Sequence, residues 1–166
     1  MGGDDASFVE AFDGLHERAR RLALRVLGDP TRADDVASEA MVRTYVHWRR
    51  VSRLPWHDGW VLRTAANLAI DATRPDRRDP NPRGTVTDDP TEAVALRAAL
   101  VAALRSLPRR QREAVCLRYL SDLPEADVAR ALGVSAGTVK THLHRGLAAL
   151  RDRLGEPEED IVAHLT

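Results

Sequence analysis

Residues Gly133 to Gly146 read GVSAGTVKTHLHRG, and the way this stretch folds decides the architecture around it. Gly133 can take the positive φ that closes one helix, and the Ser135 hydroxyl can cap the next. Upstream, PEADVARAL places Val128, Ala129 and Leu132 on one face of a short helix that opens at Pro124. Downstream, Val139, Leu143, Leu147, Leu150 and Leu154 step by four, four, three and four, which is the inner seam of a long helix. Two helices joined by a three-residue turn containing Gly are the sequence form of a helix-turn-helix. Opposite the seam stand Thr138, Lys140, Thr141, His144 and Arg145. Arg and Lys match the acceptors of guanine, Thr can meet a thymine methyl or a phosphate, and the free N–H groups at a helix start suit an anion. The same pattern also describes an amphipathic hairpin with a solvated basic face. His142 and His144 lie two residues apart, on different faces, so they cannot form a helical metal pair.

Working outward, the helical period continues in both directions. Val94, Ala98, Val101 and Leu104 predict a helix, and Ala114, Leu117 and Leu120 another, opened by Pro108. Near the N-terminus, Phe8, Phe12, Leu15, Ala19, Leu22 and Val26 form one apolar stripe, stopped at Gly28-Asp29-Pro30. Val36, Ala40, Met41, Tyr45 and Trp48 form the next, with Asp34 and Asp35 in its first turns, where the helix dipole favours acids. Arg49 to Gly59 reads as a loop. From about Trp60, Val61, Ala65, Leu68 and Ala72 give a further helix that ends before Pro75. Between the two helical groups, RPDRRDPNPRGTVTDDPT has no repeating apolar position and cannot bury enough surface to offset the entropy of ordering. The expectation is an all-α chain of two small helical domains, residues 7–75 and 94–154, joined by a flexible acidic, Pro-rich linker over 76–93. Residues 155–166 read as an acidic, solvated tail.

Charge follows this division. The 166 residues hold 25 basic and 25 acidic side chains, a net charge of zero. Yet Val94–Leu154 has eleven basic and five acidic residues, and Gly155–Thr166 has four acidic and no basic ones. A basic segment followed by an acidic tail suggests a polyanion-binding module, although six net charges are also a common solvated surface. The single cysteine, Cys116, excludes an internal disulfide and a Cys-x-x-Cys metal knuckle. No run of eighteen apolar residues and no basic-then-apolar N-terminus occurs, so neither membrane insertion nor secretion is expected, and the protein is placed in the cytoplasm. Neither a Gly-rich phosphate loop nor a nucleophile-base spacing appears; the expected protein is not an enzyme and carries no cofactor and no metal.

The segment LPRRQREAVCLRYLSDLPEADVARALGVSAGTVKTHLHRGLAALRDRL is similar throughout to region 4 of the extracytoplasmic-function (group IV) sigma factors of bacterial RNA polymerase. LGDPTRADDVASEAMVRTYVHW resembles their region 2.2, and WVLRTAANLAIDATR resembles regions 2.3 and 2.4. The resemblance runs from Phe8 to Leu154, with both halves in the family's order. It departs at Ser38, where the family commonly has Gln, and at ATRPD, which is less basic than the usual close of region 2.4.

The resemblance implies core RNA polymerase as partner, through its beta-prime clamp helices and beta flap, and promoter DNA as the object read. An anti-sigma factor is a further implied partner. Asp34, Asp35, Ser38, Glu39 and Val42 would face polymerase, although Asp34 and Asp35 also suit a helix cap. Trp56, His57, Trp60, Arg63 and Asn67 would capture unstacked minus-ten bases, since aromatic and arginine side chains stack on any base. Trp60 equally fits a core position. Lys140, Thr141, His144 and Arg145 would read the minus-thirty-five element, with Ser135 at the helix start and with Thr138 and Arg112 at phosphates. A stand-alone helix-turn-helix regulator and a polymerase-binding adaptor or anti-sigma protein are the rival classes.

Overall fold

A computed structural model describes residues 3–74 and 91–166 of the protein; most of the expected linker lies outside them. The first domain consists of α1 (Gly3–Leu27), α2 (Pro30–Val46), a single turn α3 (Trp48–Val51) and α4 (His57–Ala72). The second begins with α5 (Glu92–Ser106) and α6 (Arg109–Val115), which runs on into a π-helical turn at Cys116–Leu120. It continues with α7 (Glu125–Leu132), α8 (Ala136–Leu154) and α9 (Glu158–Leu165).

Local chemistry sets the breaks. Gly28 takes φ +65 at the end of α1. The Asp29 carboxylate then accepts the N–H groups of Thr31 at 2.9 Å and Arg32 at 3.2 Å, with Pro30 at the first helical position. Asp29 is therefore the cap of α2, and the capping role considered for Asp34 and Asp35 is not theirs. The expected loop at Arg49–Gly59 is partly helical, because α3 forms within it and α4 starts at His57, three residues before Trp60. At the other break, Gly133 adopts φ +66 and Val134 N–H returns to Ala129 O at 3.0 Å, ending α7.

The first domain has a core of its own, built from Leu15, Ala19, Ala40, Met41, Trp48, Val51 and Val61. Tyr45, expected to point inward, is 51% exposed; its ring leans on Phe8 and its hydroxyl donates to Asp5 at 3.0 Å. Val94 is likewise 47% exposed, because the first two turns of α5 project past the packed surface. Burial on α5 begins at Leu100 and includes Val101, Ala103 and Leu104.

The second core joins the two domains. Leu22, Val26, Val36, Leu62, Ala66 and Ile70 from the first pack with Leu104, Leu117, Leu132 and Leu150 from the second. Helix α4 is the shared element. Its Gly59 sits flush against α7, and a Cβ there would lie 2.6 Å from Ala131 Cβ. Across another part of the junction, Arg25 donates to Leu120 O at 2.9 Å, taking a carbonyl that the π-helical turn leaves free. That turn is marked by Ser121 N–H reaching back five residues to Cys116 O at 3.1 Å.

The C-terminus corrects the expectation of a solvated tail. Residues 158–165 form α9, with Ile161 and Leu165 completely buried in the joint core while Glu158, Glu159 and Asp160 face water. Full burial of each such side chain stabilises by about 1.5–3 kcal/mol. This is enough to dock a helix whose acidic composition hides its apolar edge.

Candidate functional site

Three surfaces carry the residues singled out in the sequence. On α8, Val139, Leu143, Leu147 and Leu150 are buried, so the opposite side of the helix is free. Lys140, Thr141, His144 and Arg145 are all exposed there, at spacings of one, three and one. Ser135 caps this helix by accepting Thr138 N–H, and its hydroxyl also lies 2.9 Å from the Thr138 hydroxyl. Gly146 is buried, and a Cβ on it would come 2.9 Å from the Val115 methyl, so α8 lies close on α6. Arg112 does not extend this face: it lines the cleft between the domains, and its Nη1 donates to Arg105 O at 3.4 Å.

The second surface is that cleft, about 620 Å³, walled by α2, α4 and α6. Trp60, Arg63 and Asn67 line it from one side of α4. Trp60 is half-buried, packed on the first core and open to the cleft. Trp56 instead packs against the joint core, and His57 pairs with Asp58 at 3.0 Å beside the Leu54 carbonyl. The structure thus brings Trp60, Arg63 and Asn67 together and leaves Trp56 and His57 outside the cleft lining.

At the floor of the junction is a residue the sequence reading missed. The Glu113 side chain is fully buried, and its Oε1 accepts from Asn67 Nδ2, Arg63 Nε and Arg109 Nε, each at 3.0 Å, while Arg110 reaches Oε2 at 3.3 Å. Burial by itself raises the Glu113 pKa, but the hydrogen bonds from Asn67, Arg63 and Arg109 outweigh it and hold the carboxyl below its ordinary range. The residue is therefore an anion that has replaced its water with protein donors, which is what a buried charge requires. Arg109 at four residues' distance was readable as a helical pair; Arg63 and Asn67 come from the other domain and carried no local signal.

The third surface runs along α2. Asp34, Asp35, Ser38, Glu39 and Val42 are all exposed on it. Asp34 lies 3.9 Å from Arg20, Glu39 pairs with Arg43 at 2.7 Å, and Ser38 meets His16 at 3.5 Å. Val42, Tyr45 and Val46 are 59%, 51% and 71% exposed, an apolar end to an acidic strip that the sequence assigned only as far as Val42. Among the described residues, no group of three His, Cys, Asp or Glu side chains is placed to hold a metal ion. No described helix is long and apolar enough to cross a membrane.

The described residues thus present a helix-turn-helix with a basic outer face, an arginine-lined cleft and an acidic-apolar strip. The Sigma-70 region 2 family profile matches residues 11–79 and the Sigma-70 region 4 profile matches residues 97–150. An RNA polymerase sigma-E factor of Streptomyces avermitilis is 34% identical over 162 residues, 95% of this chain and 90% of that protein. The extracytoplasmic-function (ECF) RNA polymerase sigma factor SigW of Bacillus subtilis is 28% identical over 170 residues, 92% of this chain and 91% of that protein. In fold, CnrH in complex with the cytosolic domain of CnrY matches with a TM-score of 0.59 at 20% identity, covering 92% of this chain and 90% of that one. RpoE of Bartonella quintana, in complex with the anti-sigma factor NepR, matches with a TM-score of 0.55 at 16% identity, over 90% and 97% of the respective chains. The chain belongs to the sigma-70 family of RNA polymerase sigma factors, in its extracytoplasmic-function branch. It directs core RNA polymerase to promoters.

Proposed function

We propose that the three surfaces divide this task as follows. The strip on α2 docks on the beta-prime clamp helices of core polymerase, its carboxylates meeting basic side chains and Val42, Tyr45 and Val46 supplying the apolar contact. The second domain sits near the beta flap, with α8 in the major groove of the minus-thirty-five element. The α4 face captures melted minus-ten bases, Trp60 by stacking and Arg63 and Asn67 by hydrogen bonding. Polymerase supplies most of the phosphate contacts, which is why a neutral chain suffices. The observation that carries this reading is the outward set Lys140, Thr141, His144 and Arg145 on a helix whose other side is fully packed.

The protein works in the cytoplasm as a non-catalytic initiation factor, and an anti-sigma protein that covers α2 and the second domain restrains it. Neither a metal nor a cofactor has a part in this scheme. Run-off transcription with core polymerase and a library of genomic promoters tests it. Initiation at promoters sharing two separated elements is the expected result. Tight promoter footprints by the free chain, with no stimulation of polymerase, would support a stand-alone regulator instead. Val46→Asp, on a surface where substitution leaves stability within about 0.5 kcal/mol, should reduce co-purification of the chain with core polymerase.

A further inference from the structure

Two of the side chains given to strand capture are already occupied in the free chain. Arg63 Nε and Asn67 Nδ2 both donate to one oxygen of Glu113, which belongs to the other domain and is closed off from water. An acceptor oxygen on those two donors is also what a base edge or a phosphate of the captured strand would provide. We propose that Glu113 is an intramolecular latch: its carboxylate stands in for the strand's acceptors on Arg63 and Asn67, so that domain closure and strand capture exclude one another. This rests on the strand-capture reading of α4 given above.

Geometry requires the latch to open during initiation. Elements centred near minus ten and minus thirty-five lie about 25 base pairs apart, or roughly 85 Å of straight duplex at about 3.4 Å per pair. A compact chain of this length has a radius of gyration of only about 15 Å. With α4 and α8 held in one packed body, the two faces cannot reach both elements together. Opening must also part the joint apolar core, within which Glu113 supplies the charged contact between the domains. Gly59 meets Ala131 without any interlocking side chain, and Arg25 holds the far edge through a single backbone carbonyl at 2.9 Å and a second at 3.5 Å. Arg109 and Arg110 lie on Glu113's own helix and travel with it, so that on opening Glu113 keeps these two partners while Arg63 and Asn67 are released.

The test uses the full-length chain with Cys116→Ala and with spin labels at the exposed positions Val9→Cys in the first domain and Arg151→Cys in the second. Pulsed dipolar spectroscopy should give one short distance in the parent protein and a second, longer population in Glu113→Gln. Gly59→Leu, which drives a side chain into α7 without touching the latch, should give the same longer population and covers the case in which Glu113→Gln does not fold. If opening takes the open fraction from about one-tenth to nearly all, a degenerate pool of short single-stranded deoxyoligonucleotides should bind about tenfold more tightly.

An unchanged distance distribution in folded Glu113→Gln overturns the latch, as does a Gly59→Leu chain that opens in a background where Glu113→Gln makes no difference to oligonucleotide binding. If the variants open, yet Arg63→Ala with Asn67→Ala leaves promoter melting by the holoenzyme at the parent rate, the strand-capture reading fails while the latch as a closing contact stands.

Discussion

Ser135 Oγ accepts the amide hydrogen of Thr138 at 3.1 Å, and this one bond fixes where α8 begins. Ser135→Ala should cost about 1 kcal/mol of stability, while Ser135→Asp should restore most of it, since both side chains can accept at the cap. Urea unfolding of the three proteins measures the difference. Equal midpoints for the alanine variant and the parent would mean that the turn after Gly133, and not the cap, sets the start of α8.

The exposed side of α8 carries the second expectation. Lys140→Ala or Arg145→Ala should cost about 1–3 kcal/mol at promoters bearing the base that each reads and little at promoters lacking it. Initiation by reconstituted holoenzyme on promoters carrying every single-base change in the upstream element shows this as a lost preference at one position. A loss spread evenly over all promoters would reassign the residue to a phosphate contact. No change for either variant would remove α8 from recognition.

Helix α9 offers a stability test unrelated to DNA. Leu165→Ala removes a wholly buried side chain and should cost about 2–5 kcal/mol. Thr166, the residue beside it, is exposed and should tolerate alanine with little effect. Denaturant midpoints decide the matter, and equal midpoints for Leu165→Ala and the parent would return residues 155–166 to the status of a solvated end.

Glu113 gives the chain an acid-sensitive joint. Its carboxyl is held below the ordinary range, so the stability it contributes is fully present above the unfolded-state value of about 4.3 and is lost as the pH falls through the lower folded value. Facing it are Arg63 and Asn67 of α4 and Arg109 and Arg110 of α6, which lose their anionic partner when the carboxyl takes up a proton. Urea unfolding between about pH 7 and pH 3 should show the parent losing stability faster than Glu113→Gln below about pH 5. Parallel curves would count against an ionised, paired Glu113.

The parts of this structure that were legible in the sequence are those whose cause is local. The seam from Val139 to Leu150 announces itself by spacing, and Gly133 and Ser135 punctuate it, because backbone conformation and capping depend on near neighbours. Tyr45 kept the helical period of α2 but not its burial, since what it meets is Phe8, far away in sequence. The π-helical turn at Cys116–Leu120 has no compositional mark; one carbonyl it leaves free is taken by Arg25, ninety-five residues earlier. Glu113 looked like one more acid in an arginine-rich helix, and only the packing of α4 against α6 made it the centre of four donors. In α9 the signal was present, Ile161 and Leu165 four residues apart after Pro157, and was outweighed by the acidic composition around it.

Cys116 is the chain's one thiol, and it sits at the start of the π-helical turn with no exposed surface, its pKa pushed up to about 12 by burial. In that setting it is neither nucleophile nor oxidant target, since reactivity belongs to the thiolate. The same enclosure makes it a built-in clock. A thiol-specific reagent can reach Cys116 only when the joint core opens, by separation of the domains or by unfolding of the second, so the labelling rate under native conditions reads out how often this happens, with no engineered probe. Core polymerase, by holding the two domains apart, would speed that clock, and a partner that clamps them together would slow it.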